Sequence, residues 1–381
     1  MTGRRLLAVI ALAAGCGRAA PTPAPAPVTP PPAPLPRAAE PRPYAVLDTG
    51  STRLTIFLAT TRRSVDSDRP GERYGPDDAD SLQFAAVSVN VPSYKSRGTG
   101  ELQRPTAMRV NALSYRPDPQ RDFYVTSTIP VDSNRFIQRL SADLALSRSR
   151  DLLVFVHGFN VSFEDAAVRA AQVAADLNFD GSVLLFSWPS AATVTGYVRD
   201  QQSARNAGYQ LLRVLNHHAA AAQPDRIHLL GHSMGSEVIG KAITLTAPGD
   251  PSPRLAQVIF AAPDVDARIF RREILPRLAP HAEHITLYAS SDDDALRASR
   301  MVNNAVRLGL GGDSLVVIDG MDTVDASRVT ADLLGHTLFG NTSFIADLAV
   351  LLAEGKSPAE RRLLAATKDG KTYYRFRGDR R

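Results

Sequence analysis

Ser233 is the residue of this chain whose surroundings most clearly suggest chemistry. It is the central residue of Gly231-His232-Ser233-Met234-Gly235, a Gly-x-Ser-x-Gly motif. An apolar run at 227–230 precedes the motif and a helical pattern follows it, which is the strand–turn–helix context of a nucleophile elbow. The helix N-terminus beneath such a turn favours developing negative charge. The sequence therefore predicts that Ser233 is a serine nucleophile.

A second motif ends another apolar run, at 152–156, with His157-Gly158-Phe159. Where a nucleophile elbow is present, the loop after this strand supplies one of the two backbone N–H groups that bind the reaction's oxyanion. We therefore expect the backbone N–H groups of Phe159 and Met234 to form an oxyanion hole. His157 is interpreted as a structural residue that braces the loop.

A serine nucleophile of this kind needs a histidine as general base, and the chain order Ser, acid, His restricts the choice. Three histidines follow Ser233: His281, His284 and His336. The first two precede or open a predicted strand at 284–289. His336 follows the last predicted strand, at 315–318, so it is the predicted base.

Two aspartates are candidates for the acid that orients the histidine. Asp293 follows the predicted strand at 284–289, and Asp264 follows the preceding one at 258–261. Either carboxylate could orient the imidazole and stabilise its protonated form. Chain order alone leaves both open.

The elements that position these residues are short apolar runs alternating with helical segments. Such unbroken runs are typical of strands covered on both faces. Strands are predicted at 54–60, 82–91, 123–128, 152–156, 183–186, 227–230, 258–261, 284–289 and 315–318, and helices at 162–176, 200–222, 235–246, 266–278 and 343–353. This alternation predicts an α/β-hydrolase fold, with a doubly wound, mainly parallel sheet and helices on both faces.

The connection from 263 to 282 has room for about one helix, so no large cap domain is expected. We expect the segment 62–81 or the loop 190–200 to cover part of the site, which favours an esterase over an interfacially activated lipase.

The N-terminus predicts export. Arg4 and Arg5 precede a short apolar run at 6–12 and small residues at 13–15, so 1–15 is interpreted as a signal peptide. Leu12-Ala13-Ala14-Gly15-Cys16 resembles the bacterial lipobox, and Cys16 is the chain's one cysteine. A lipidated Cys16 would anchor the protein to a membrane of the bacterial cell envelope, on its periplasmic or surface side. The alternative is an ordinary secretory signal with an incidental cysteine.

Composition sets the remaining domain boundaries. Pro and Ala dominate 17–43, which predicts an extended linker over 16–43. The hydrolase domain is predicted at 44–367, followed by a basic tail at 368–381.

Composition also bears on partners and cofactors. With 44 Lys+Arg against 39 Asp+Glu and no basic block interleaved with aromatics before the tail, no nucleic-acid partner is expected. A single cysteine excludes an intrachain disulfide and a cysteine-based metal cluster. No metal or organic cofactor is expected.

Taken together, the motifs resemble a bacterial α/β-hydrolase family described as esterase/lipase-like and carried as a domain of unknown function. The matching stretches lie at 57–62, 156–160, 186–190, 231–235, 262–266, 287–290 and 335–336. The resemblance implies that Asp293 is the acid and that Asp264 has a supporting role near the site. Thr61 departs from the pattern, since the family usually has Asn there.

The chemistry that these residues predict is hydrolysis of a carboxylic ester, from a small molecule or a lipid, through an acyl-enzyme intermediate. A thioesterase or an amidase or peptidase would use the same triad. A non-catalytic surface-binding lipoprotein is the alternative outside enzymology.

Overall fold

A computed structural model describes residues 45–46, 50–93, 98–105, 117–246, 253–291, 293–327 and 338–377. The strands are β1 (Ala45–Val46), β2 (Thr52–Ser64), β3 (Tyr74–Val91), β4 (Tyr124–Val131), β5 (Asp151–Val156), β6 (Gly181–Ser187), β7 (Arg226–His232), β8 (Leu255–Ala261), β9 (Ala282–Ala289), β10 (Asp322–Asp325), β11 (Leu364–Lys368) and β12 (Lys371–Arg375). The helices are α1 (Ser133–Ala145), α2 (Phe163–Asp176), α3 (Tyr197–Arg213), α4 (Gly235–Thr244), α5 (Ala267–Ile269), α6 (Leu275–Leu278), α7 (Asp294–Asn303) and α8 (Thr342–Glu354).

The strands form one sheet in the order β11-β12-β10-β9-β8-β7-β5-β6-β2-β3-β4, with β1 paired to β2. Pairing is parallel from β2 through β6, β5, β7, β8, β9 and β10 to β12. Antiparallel pairs are confined to the two sides of this central sheet. The predicted α/β class with a mainly parallel sheet is confirmed.

Helices cover both faces because the central strands are apolar on both sides. In β5, Leu153 and Phe155 belong to the core shared with α2 and α8. The alternate residues Leu152, Val154 and Val156 belong to the core shared with α1, α3 and α4. Successive side chains of a strand point to opposite faces, so an unbroken apolar run is the pattern that a twice-covered strand requires.

The last parallel strand lies beyond the predicted position. Residues 315–318 are not a strand, although Leu315 and Ile318 are buried in the core. The strand is β10, whose sequence Asp-Thr-Val-Asp offers one apolar residue. Apolarity marked burial correctly here, but it did not distinguish a core-filling loop from a strand.

The segment expected to be a peripheral basic tail from residue 368 contributes to the sheet. Strands β11 and β12 form a hairpin, and β12 pairs in parallel with β10. The turn residues Asp369 and Gly370 both have positive φ, at 50° and 75°. Asp-Gly is a strong two-residue hairpin signal, so the sequence did carry this information.

Helices α1 and α7 lie outside the predicted helices. Between β8 and β9 the described chain holds α5, a π-helical turn (Phe270–Ile274), α6 and a short 3-10 turn (Ala279–His281). This short connection agrees with the expected absence of a large cap there. None of the helices in the described ranges is long and apolar enough to cross a membrane.

Strands β2 and β3 form a long antiparallel ribbon that continues past the end of β6. Thr60 in β2 is level with Ser187, the last residue of β6, whereas the ribbon pairs as far as Ser64 with Tyr74. The ribbon is fastened to α3, because Arg199 Nη2 donates to the carbonyl oxygen of Pro76 at 2.7 Å. The segment 62–81 therefore lies at the carboxyl edge of the sheet, and its covering of the site stays a prediction.

Candidate active site

Ser233 lies in the turn between β7 and α4, at the carboxyl edge of the sheet. Its φ is 50°, in the left-handed region that non-glycine residues rarely adopt. A Cβ on Gly235 would lie 2.4 Å from the carbonyl oxygen of Val156, and one on Gly231 would lie 2.5 Å from Ile239 Cδ1. Glycine is therefore required at 235, where the contact is with backbone, whereas at 231 the Ile239 side chain would have to move. The turn has the strained geometry of a nucleophile elbow.

Backbone hydrogen bonds hold this strained turn in place. The N–H of Ser233 donates to the carbonyl oxygen of Ala261, at the end of β8, at 3.0 Å. Its carbonyl oxygen accepts from the N–H groups of Ser236 and Asp264, at 3.0 and 3.1 Å. The elbow is thus joined to both its own helix and the loop after β8.

The loop after β5 packs directly against the serine. A Cβ on Gly158 would lie 2.9 Å from Ser233 Cβ, so only glycine allows this approach. Phe159 is the next residue, and Met234 follows Ser233 on the other side of the contact. Within the described ranges, neither the Phe159 N–H nor the Met234 N–H has a hydrogen-bond acceptor. The two N–H groups predicted to form the oxyanion hole therefore follow the two residues that make this contact.

Both ring nitrogens of His157 have hydrogen-bond partners within the protein. Its Nδ1 is 2.9 Å from the carbonyl oxygen of Gly158, and the N–H of Trp188 donates to its Nε2 at 3.2 Å. These contacts put the proton on Nδ1. Burial, followed by the positive charge of Arg62, lowers the pKa of His157 to about 3. The imidazole is therefore neutral and its two nitrogens are used within the scaffold, in agreement with the structural interpretation.

Trp188 helps to hold the His157 ring in place. Its ring stacks on the imidazole of His157 with centroids 5.1 Å apart, and its Nε1 donates to the His157 carbonyl oxygen at 2.8 Å. The side chain is fully buried. It packs in the core and does not line an open pocket.

Asp293 lies after β9, two strands from β7, and is fully buried. It is the N-cap of α7, where its Oδ1 accepts from the N–H of Leu296 at 2.8 Å. The carboxylate thus lies after β9, as the sequence predicted, and at the start of a helix that the sequence did not predict.

Asp264 lies after β8 in a different environment. Its Oδ1 accepts from Arg307 Nε at 2.6 Å and from Ser299 Oγ at 2.5 Å, and its Oδ2 accepts from Tyr197 Oη at 2.8 Å. Arg307 Nη2 is also 3.7 Å from Glu237 Oε1. This carboxylate therefore compensates a buried guanidinium. Its backbone N–H meanwhile supports the elbow.

His336 lies outside the described residues, but the chain on either side of it is described. On one side, Ser327 Oγ accepts from the N–H of Ser291, beside the Asp293 loop, at 2.8 Å. On the other, the ring of Phe339 packs edge-on against His232, with centroids 5.3 Å apart. The described residues at the two ends of the segment thus contact the loop before Asp293 and the nucleophile elbow.

The other two histidines after Ser233 lie at the far edge of the sheet. His281 precedes β9, and His284 is paired in register with Gln257 near the start of β8. Both lie where the sequence predicted, before the strand or close to its start.

Two buried or partly buried polar residues at this edge, Arg62 and Tyr197, were not predicted from the sequence. Arg62 is buried and donates to the loops after β5 and β6. Tyr197 packs against Phe159 with centroids 5.4 Å apart, and burial together with the neighbouring Asp264 raises its pKa. Arg62 ends the stretch 57–62, which matches the family's pattern, and that match was the signal that could have found it. Nothing local marked Tyr197.

The fold and the elbow define this protein as an α/β hydrolase. The chain belongs to the family described as "Alpha/beta hydrolase of unknown function (DUF900)", whose model matches residues 133–353. The family resemblance inferred from the motifs is thereby confirmed.

Three solved structures illustrate the wider similarity. A proposed cell surface hydrolase from Lactobacillus plantarum WCFS1 is 9% identical with a TM-score of 0.32, over 56% of this chain and 95% of that one. Phospholipase PlaB from Legionella pneumophila, in complex with thio-NAD, is 13% identical with a TM-score of 0.30, over 59% and 66%. A lipase-esterase related protein from Clostridium acetobutylicum ATCC 824 is 11% identical with a TM-score of 0.26, over 56% and 93%. Similarity at this level says nothing about activity. A comparison with curated proteins gives no match.

Proposed function

We propose that this α/β hydrolase cleaves carboxylic esters, with Ser233 as nucleophile, His336 as general base and Asp293 as the acid that orients it. The observation that carries the proposal is Ser233 itself, held at φ 50° in a glycine-flanked elbow with Gly158 against its side chain. Backbone strain of this kind costs about 1–3 kcal/mol and persists where the surroundings impose it, most often at active sites.

In the proposed reaction, Ser233 Oγ attacks the ester carbonyl carbon while the His336 imidazole takes the hydroxyl proton. The carbonyl π electrons move to oxygen, and the N–H groups of Phe159 and Met234 bind the resulting oxyanion. Collapse of this intermediate breaks the ester C–O bond, and the imidazolium gives its proton to the departing alcohol. Water then attacks the acyl-enzyme by the same steps, which releases the carboxylic acid and restores Ser233.

Chain length supports His336 as the base. Three residues of chain span at most about 11 Å, and Phe339, three positions further on, is packed against His232, the neighbour of the nucleophile. Ser327, at the other end of the segment, is bonded beside the acid loop. Both described ends of the segment that contains His336 are therefore fastened next to residues of the proposed site, which supports a histidine of this segment as the base.

The contacts of the two aspartates support Asp293 as the acid. Asp264 already accepts from Arg307, Ser299 and Tyr197. Using it to orient an imidazole would place a second cation beside the buried Arg307. Asp293 is held differently, as the N-cap of α7, where its Oδ1 accepts from the N–H of Leu296.

A fluorophosphonate probe tests the nucleophile. We expect the wild type to be labelled covalently on Ser233 and the Ser233→Ala variant to be unlabelled. Ser236→Ala is the matched control, because Ser236 lies on the same turn with its hydroxyl directed at the carbonyl oxygen of Gly231. A folded wild type that hydrolyses no acyl ester and takes up no probe would favour a binding protein.

A panel of acyl esters, thioesters and amides presented to the wild-type enzyme, without the probe, then identifies the reaction. We expect esters to be turned over fastest. Faster turnover of a thioester or an amide of the same acyl group would reassign the substrate class while leaving the triad intact.

We also propose that Cys16 is lipidated and holds the protein on a membrane of the bacterial cell envelope. The support is the lipobox-like sequence and the Pro/Ala-rich spacer that follows it. Residues 1–44 lie outside the described part of the chain.

A further inference from the structure

Arg62 is a buried cation at the edge of the sheet that carries the candidate site. It lies near the end of β2 and is 1% exposed. The register of β2 against β3 is irregular on both sides of it, between Thr60 and Arg62 and between Arg62 and Ser64. Such irregularities redirect a side chain out of the regular alternation of a strand. Here the redirected side chain enters the protein.

The guanidinium ties together the segments around the site. Its Nη2 donates to the carbonyl oxygen of Val161, in the loop after β5, at 2.7 Å. Its Nε donates to Ser187 Oγ at 2.9 Å. Its Nη1 is shared between the carbonyl oxygens of Ser190 and Gly75, each at 3.2 Å. One side chain therefore connects the loop after β5, the loop after β6 and the ribbon.

The same region fixes the other polar group of Val161. The Val161 N–H donates to Ser190 Oγ at 3.1 Å, and Ser190 Oγ donates to Asp200 Oδ2 at 2.5 Å. Burial lowers the pKa of Arg62 to about 9, while the negative charge of Asp200 raises it, so the guanidinium is charged at neutral pH. Both backbone polar groups of Val161 are thus held by one charged network.

This network fixes the far end of the loop that carries Phe159. The near end is fixed by Gly158, which packs on Ser233. Between Phe159 and Val161 lies Asn160, whose φ of 57° is in the left-handed region and turns the chain sharply. With Gly158 fixed on one side of this turn and Val161 on the other, the direction of the Phe159 N–H depends on the anchor at Val161.

We propose that Arg62 is a positioning residue for catalysis, which holds the loop 158–161 so that the Phe159 N–H points at the developing oxyanion. This inference rests on the proposed ester hydrolysis, because it assigns a role within that reaction. Arg62 does not contact the substrate. It acts through Val161 and the loop.

A displaced oxyanion donor has a characteristic kinetic effect. The donor binds the oxyanion, which is present in the transition state and not in the bound ester. Its loss therefore lowers kcat and leaves KM nearly unchanged. Removal of one oxyanion donor outright costs about 10²–10³ in kcat. A donor that is displaced but present should cost less, on the order of 10-fold to 100-fold.

The experiment compares Arg62→Met, Arg62→Lys and Arg63→Met in the full chain. Methionine fills the buried space without donating, and lysine keeps the charge with fewer suitably directed donors. Arg63 is the matched control, since it is the next residue of the ribbon, exposed, and donates to the carbonyl oxygen of Asp78. Kinetic constants are calculated per active site titrated with a fluorophosphonate, and each variant's fold is checked by circular dichroism and thermal unfolding.

In Arg62→Met we expect kcat per titrated site to fall about 10-fold to 100-fold, while KM changes less than about threefold. In Arg62→Lys we expect kcat per titrated site to fall by an intermediate amount. Affinity for a boronate that forms a tetrahedral adduct should fall in parallel with kcat. Arg63→Met should match the wild type. A purely structural role would instead lower the melting temperature or the number of titratable sites while kcat per site stayed constant, and that result would overturn the proposal.

If Arg62→Met does not fold, Ser190→Ala gives the same test, because it removes the hydrogen bond to the Val161 N–H and leaves Arg62 in place. A wild-type kcat per site in Ser190→Ala together with Arg62→Lys would then reject the inference. A wild type that neither turns over esters nor takes up the probe would reject the proposed function itself. Labelled wild type with unaffected variants would reject only the role of Arg62.

Discussion

Phe339 packs edge-on against His232, with ring centroids 5.3 Å apart and planes at 71°. His232 is the residue before the nucleophile, and Phe339 lies three positions after the histidine predicted as the base. Phe339 is fully buried and also packs against Phe155 of β5 and Phe344 of α8. An aromatic cluster therefore fastens the start of α8 beneath the elbow.

This contact makes His336 the histidine to test. We expect His336→Ala to lower ester turnover by about 10⁴ or more and to abolish fluorophosphonate labelling, since the serine hydroxyl would lose its base. His281→Ala is the control, because His281 lies before β9 at the opposite edge of the sheet. Normal labelling of His336→Ala would remove His336 from the mechanism.

The two aspartates can be separated by amide substitution. Asp293→Asn should lower kcat by about 10⁴, because an amide does not hold the imidazole in the required tautomer. Its fold should be retained, since Asn is as good an N-cap as Asp for α7. Asp264→Asn should instead lower stability, by about 3–5 kcal/mol, because it leaves the buried Arg307 without its closest carboxylate.

Urea unfolding and steady-state kinetics on one ester distinguish these outcomes. Should Asp264→Asn prove folded and the more damaging to kcat, the acid would be Asp264. The triad would then run through the loop after β8.

His157 should make the stability of the protein depend on pH. Its pKa is lowered to about 3 in the folded state, mainly by burial. The unfolded chain takes up a proton below about 6.5, which the folded state does not. The free energy of unfolding should therefore fall as the pH falls from about 6.5 towards 3, by up to ~1.4 kcal/mol per pH unit from this residue.

The His157→Gln variant isolates this contribution, because glutamine does not titrate and other groups are common to both proteins. We expect the stability difference between wild type and variant to shrink as the pH is lowered from 7 to 4.5 in urea titrations. Parallel curves for the two proteins would show that His157 is protonated equally in both states.

The membrane anchor is tested in cells. We expect a fatty-acid analogue to label the wild type and not Cys16→Ser, because the thiol is the acylation site of a lipobox. Ser233→Ala, which keeps Cys16, should be labelled like the wild type. Equal labelling of the wild type and Cys16→Ser would reject the anchor.

Local features of the sequence determined the elbow and the fold class. The strand, the Gly-x-Ser-x-Gly motif and the helix are contiguous, so the residues next to Ser233 in the sequence determine the tight turn on which it lies. The strands that are covered on both faces were also predictable, because burial on both faces requires an unbroken apolar run, as in β5. The hairpin of β11 and β12 had its Asp-Gly signal too. Strand β10, with one apolar residue, had almost none.

Tertiary structure decided which polar residues meet at the site. Arg62 donates to Ser187 and Val161, 125 and 99 residues away, and Asp264 compensates Arg307, 43 residues away. Asp264 and Asp293 both follow strands, so chain order did not distinguish them, whereas the fold gives them different environments: Asp264 is bonded to Arg307 and Asp293 is the N-cap of α7. The physical reason is that a buried charge is stabilised by whatever the fold brings near it, and that set of neighbours depends on the packing of the whole sheet rather than on the adjacent residues.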